Sequence, residues 1–135
     1  MTDTTRDIDI AGDHGTATAG DEGTATAGDG GTATAGRYGT ATAGRYGTAT
    51  AGNWGTATAG HWGTATAGQY GTATAGHGGC IVLTWWDRKA KRHRIVVGYI
   101  GENGLLPNTP YHCNDEGVIV PANEANGLTD NDGEG

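Results

Sequence analysis

The chain has 135 residues, a formal net charge of −7, 27 glycines and no phenylalanine. That composition excludes a conventional globular core over most of its length. The acidic balance, with a pI near 4.9, disfavours nonspecific nucleic-acid binding and permits a basic partner, and no apolar run approaches the ~20 residues of a membrane-spanning helix.

Residues 1–12 read as a polar lead and an imperfect first rung. MTDTTRDIDIAG has neither the cationic start nor the apolar stretch of a signal peptide, so a cytoplasmic product is expected. Asp7 and Asp9 place charge where an open sheet end would otherwise invite edge-to-edge growth. Ile8 and Ile10 form a candidate self-association contact.

Residues 13–79 are organised by the hexapeptide GTATAG, which occurs eight times between residues 15 and 76, each copy separated from the next by two variable residues. A fixed short period signals stacked structural units. In each octet Thr-Ala-Thr-Ala favours extended backbone, and the flanking glycines are expected to supply the positive φ of a tight turn. One octet cannot run out and return, so a pair of octets makes one coil. The fold class expected is all-β, a two-sheet parallel β-solenoid of four to five coils with a small C-terminal β cap. Stacked about 4.8 Å apart, four coils make a rod about 20 Å long. A three-sided coil built from three octets also fits the repeat.

The two-octet register stacks Tyr38, Trp54 and Tyr70 on one edge and Tyr46 over Trp62 on the other, within reach of offset ring stacking. It also puts Asp13 over Asp29 on one edge, with Asp21 and Glu22 on the other. Alternation sends Thr and Ala to opposite sides of each strand. With Ala inside, the favoured phase, one face shows Thr16, Thr18, Thr32, Thr34, Thr48, Thr50, Thr64 and Thr66. The other face shows Thr24, Thr26, Thr40, Thr42, Thr56, Thr58, Thr72 and Thr74. Ile81 and Leu83, in the Ala columns, support this phase; Ile8 and Ile10, in the Thr columns, argue for the reverse.

Residues 80–121 read as a β cap over the open end. Cys80–Trp86 continues the stack, Arg88–His93 is a basic loop, Arg94–Ile100 returns, Leu105–Tyr111 crosses, and Val118–Val120 is a last strand. Residues 122–135 read as an acidic flexible tail. Cys80 and Cys113 have no metal-like spacing and are expected as reduced thiols. His61 and His77 fall on adjacent coils without a third ligand, so no metal and no cofactor is expected. Phosphate-cradling and metalloprotease motifs are absent, and no catalytic residue is assigned.

Taken in pairs, AGxxGTATAGxxGTAT resembles the repeating coils of bacterial ice nucleation proteins, which have the same period. The cap is similar too: Val82-Leu83, Trp86-Asp87, Lys89, Val96-Val97, Gly101, Gly104, Pro110-Tyr111 and Ile119-Val120 follow the order and near spacing of that family's C-terminal cap. The resemblance covers about residues 13–120. It implies a cell-surface-associated β-solenoid with Ala inside and outward Thr-x-Thr rows that template ice, the first eight threonines named above being the ice-binding face and ordered water the partner. Family members carry dozens of coils, so strong nucleation by one copy of this short rod is not expected.

Two other functions fit the residues. A small acidic solenoid with Asp13, Asp21, Glu22 and Asp29 in place of phosphates would act as a DNA mimic, a phage-type inhibitor of a nucleic-acid enzyme such as an anti-CRISPR protein. A structural module would instead form a homodimer through its aromatic edges. The basic run Arg88–Arg94 is a solvated loop, an anion-binding element, or a contact with the acidic coils of another copy.

Overall fold

The computed structural model describes residues 8–122. Asp7 and the tail beyond Ala122 lie outside the described residues. Within them the chain forms thirteen strands. Nine precede the cap: β1 (Ile8–Ile10), β2 (Thr16–Thr18), β3 (Thr24–Thr26), β4 (Thr32–Ala35), β5 (Thr40–Ala43), β6 (Thr48–Ala51), β7 (Thr56–Ala59), β8 (Thr64–Ala67) and β9 (Thr72–Thr74). The cap supplies β10 (Cys80–Asp87), β11 (Arg92–Tyr99), β12 (Tyr111–Cys113) and β13 (Ile119–Pro121). No helix of the described residues is long and apolar enough to cross a membrane.

Alternate octets join alternate sheets. One sheet runs β1-β3-β5-β7-β9-β12-β13 and the other β11-β10-β8-β6-β4-β2. From β2 to β7 each strand pairs in parallel with the strand two octets on, Thr over Thr and Ala over Ala, as in Thr48↔Thr64 and Ala49↔Ala65. The protein is therefore a two-sheet β-solenoid of about five coils, each made of two octets. A three-sided coil would pair every third octet and does not form.

Alanine faces inward. Ala17, Ala25, Ala33, Ala41, Ala49 and Ala57 are all 0% exposed, and the second alanine of each octet is nearly so. The sheets approach closely enough that methyl groups alone fill the space, as a core without voids requires. At the cap end larger side chains take over the Ala columns, with Ile81 over Ala65 and Leu83 over Ala67. These two are the largest fully buried side chains among the described residues. Tyr111 closes this end: its ring is buried, and its hydroxyl oxygen accepts a hydrogen bond from the Leu106 N–H at 2.8 Å.

Ile8 and Ile10 do not report the inward face. They pair with Thr24 and Thr26 and point outward, 71% and 73% exposed, while Asp9 occupies the inward column over Ala25. Its carboxylate accepts from the Thr18 N–H at 2.9 Å. A charge at the open end of the interior thus occupies a donor on the last strand of the other sheet.

The turns also differ from expectation. Each closes by a hydrogen bond from the second flanking glycine to the first, such as Gly23 N–H to Gly20 O at 3.0 Å. Positive φ falls on the second spacer residue instead: His14, Glu22, Tyr38, Tyr46, Trp54, Trp62 and Tyr70 have φ of 59–64°, and Gly30 and Gly78 take the same slot. The flanking glycines are needed for close approach. A Cβ on Gly47 would lie 2.8 Å from the Ala43 Cβ and 2.9 Å from the Gly31 carbonyl oxygen.

In the cap, the expected basic loop shrinks to a turn, because Arg92 and His93 are already in β11, paired antiparallel with Asp87 and Trp86. Asp87 organises this hairpin. Its carboxylate accepts from the N–H groups of Lys89 and Ala90 and from Arg94 Nε at 2.6 Å. A strand not foreseen, β12, follows the crossing segment and pairs with both β9 and β13. The last strand runs Ile119–Pro121, one residue later than the pattern suggests.

Candidate functional site

Because Ala is inward, every repeat threonine points outward, at least partly exposed. β2, β4, β6 and β8 align Thr16, Thr32, Thr48 and Thr64 in one column and Thr18, Thr34, Thr50 and Thr66 in the next. β3, β5, β7 and β9 do the same with Thr24, Thr40, Thr56 and Thr72, and with Thr26, Thr42, Thr58 and Thr74. Threonines lie about 6.6–6.8 Å apart along a strand and about 4.8 Å apart between coils. Each adds a methyl group and a hydroxyl that both donates and accepts, and its β-branch restricts χ1. The result is an uncharged threonine grid on the outer face of each sheet.

The turn edges carry different chemistry. On one edge Tyr38 and Trp54 stack with ring centroids 6.2 Å apart and planes 7° apart, and Trp54 and Tyr70 with 4.5 Å and 21°. On the other edge Tyr46 and Trp62 share a column, but the partner ring of Trp62 is His77, edge-on at 5.7 Å. The Trp62 ring lies against Gly78, where any Cβ would run into it.

The acidic residues do not form a bare ladder. The first spacer residue of one coil caps the backbone of the next: Asp13 Oδ1 accepts from the Asp29 N–H, Asp29 from Arg45, Asp21 from Arg37, Asn53 from Gln69, and His61 Nδ1 from His77, all at 2.9–3.0 Å. Arg37 and Arg45 interrupt the series, since a guanidinium cannot accept. They turn back to Asp21 at 3.3 Å and Asp29 at 3.0 Å. The N–H groups of Arg37 and Arg45, and then their guanidinium groups, hold the carboxyls of Asp21 and Asp29 below the usual carboxylate range. Asp87 is held down chiefly by Arg94. Glu22 lies on the Asp21 edge, in the turn slot that later holds Tyr38.

This capping role was missed in the sequence. Its signal is the recurrence of Asp, Asn or His at the first spacer position, each with an oxygen or ring nitrogen able to accept.

Cys80 and Cys113 are both free. Burial and then Asp115 push the Cys113 thiol up to about 11. His61 and His77 rings sit 6.4 Å apart, edge-on, and no group of three His, Cys, Asp or Glu among the described residues is placed to hold a metal ion. Two open clefts among the described residues flank Trp85 in the cap. One is lined by Asp87, Arg88, Lys89, Asp115 and Glu116, the other by Arg92–Val96 and Gly117.

No family model, curated protein or solved structure matches this chain.

Proposed function

We propose that this solenoid is a non-enzymatic ice-binding protein of the ice-nucleation type, acting through its Thr-x-Thr faces. The observation that carries the reading is the register: identical threonines stack coil over coil on a backbone whose other side is a tightly packed alanine core. Side chains held at fixed two-dimensional spacing hold first-layer water at fixed positions. The ordering cost is met when the protein folds, so little is lost when water is captured. Methyl groups between the hydroxyls limit competing hydrogen bonds to mobile water.

The test is thermal hysteresis and droplet freezing, comparing the protein with Thr48→Lys/Thr50→Lys. The two lysines interrupt the centre of one grid with flexible charges. A clear loss of activity is expected, and equal activity of the two proteins would refute the reading.

A second reading, pairing of two copies through the aromatic edges, is favoured by the turn geometry. Five aromatic residues hold φ of 59–64°, a region that costs roughly 1–2 kcal/mol for a residue with a Cβ, in a slot where Gly30 and Gly78 suffice. The inhibitor reading has less support, because Asp21 and Asp29 are engaged by arginines and Asp13 is bound to backbone.

A further inference from the structure

The two sheets have four end strands, and three of them are protected. β1, β2 and β13 are each three residues long. Asp9 occupies a β2 donor, and β13 ends in Pro121, which has no N–H to offer. β11 is different. It has eight residues and, among the described residues, no neighbour beyond β10.

The pairing shows which groups face the open side. Ile100 N–H donates to Gly79 O at 2.9 Å, and hydrogen-bonded pairs recur every second residue of an antiparallel ladder. Arg92, Arg94, Val96 and Gly98 therefore bond to β10. His93, Ile95, Val97 and Tyr99 turn their N–H groups away, and their side chains lie on the Thr-bearing face. Ile95 is 67%, Val97 44% and Tyr99 56% exposed. An edge strand that is long, apolar and unpaired is a template for another strand.

We propose that β11 associates with β11 of a second copy, antiparallel about a two-fold axis. Charge selects this occupant. Five of the chain's eight Lys and Arg residues, Arg88, Lys89, Lys91, Arg92 and Arg94, lie at one end of the strand. A parallel arrangement would set Arg against Arg. The antiparallel arrangement centred on Val96 puts Ile95 opposite Val97 and sets Arg92 and Arg94 against the apolar half of the other strand. It also brings the cationic turn of each copy to the Gly101–Gly104 turn of the other. That turn carries Glu102, which makes no ion pair among the described residues. Such an axis stands perpendicular to the sheet, so the six-stranded sheet doubles and the two Thr faces of that sheet look the same way.

The experiment is sedimentation velocity of the full chain over a range of concentrations. A dimer is expected, reduced to monomer in Ile95→Lys/Val97→Lys, retained in Trp54→Ser/Tyr70→Ser, and weakened roughly tenfold in dissociation constant by Glu102→Lys. Hydrogen exchange on the unaltered protein gives a test that needs no variant. The amides of Ile95 and Val97 gain protection as concentration rises, while those of Val96 and Gly98 are protected throughout. A monomer at every concentration, concentration-independent exchange at Ile95 and Val97, or a dimer that survives the lysines but is lost with the aromatic substitutions would overturn the proposal. Survival of the aromatic variant as a dimer separates this contact from the edge pairing considered above.

Discussion

Replacing Ala49 by leucine tests the packing on which both Thr faces depend. Ala49 is 0% exposed, with Ala33 and Ala65 in register on either side and the alanines of the opposite sheet in front. Leucine brings about three extra carbons, whose burial would contribute about 2.4 kcal/mol if space existed. An interior filled by methyl groups has no such space, so the sheets must part and neighbouring alanine contacts loosen. Overpacking of this kind costs about 1–3 kcal/mol net. For a chain of this size each kcal/mol moves the melting temperature by about 3–5 °C, so a fall of roughly 3–15 °C is expected by circular dichroism. Thr50→Leu, one position along and facing outward, should change stability by no more than about 0.5 kcal/mol. If Ala49→Leu melts at or above the unaltered protein while Thr50→Leu is strongly destabilised, the inward face has been misassigned.

Three further outcomes are expected. Gly47→Ala, whose Cβ would sit 2.8 Å from the Ala43 Cβ, should lower the melting temperature although its φ is not in the left-handed region; a rise would mean that the turn has room. Acid should weaken the fold: the lowered carboxyls of Asp21, Asp29 and Asp87 stabilise it fully above about pH 4, and that support is lost as pH falls through their folded-state values. Melting curves of Asp21→Asn/Asp29→Asn should accordingly show a shallower acid decline. Cys113, with its thiol raised to about 11, should react with a thiol reagent at pH 8 well below the rate of a free thiol, and a rate equal to the free thiol's would contradict its burial.

Much of the fold is legible in the octets. The two-octet register follows from the need to run out and back, and the aromatic columns Tyr38, Trp54 and Tyr70 identify it. The inward phase is legible in Ile81 and Leu83, which continue the Ala columns into the cap. Ile8 and Ile10 mislead because the first rung has little interior to face, so hydrophobicity there carries no directional information. The turn geometry was misread because glycine is usually the residue that takes positive φ. Here glycine is confined by neighbouring coils, and the strain passes to Tyr, Trp, His and Glu. The roles of Asp13, Asp21 and Asp29 were hidden for another reason: a carboxylate capping the next coil looks in sequence like any solvated turn residue. The cap boundaries shifted because Arg92 and His93, polar in composition, extend β11 opposite Asp87 and Trp86.

Whether a threonine grid facing solvent binds ice is measured most directly by partition into a slowly growing ice front, which does not require nucleation. The protein should enter the ice from dilute solution, and Thr48→Lys/Thr50→Lys should enter less. Exclusion of the unaltered protein from the ice, to the same degree as a non-binding protein of equal size, would contradict the account.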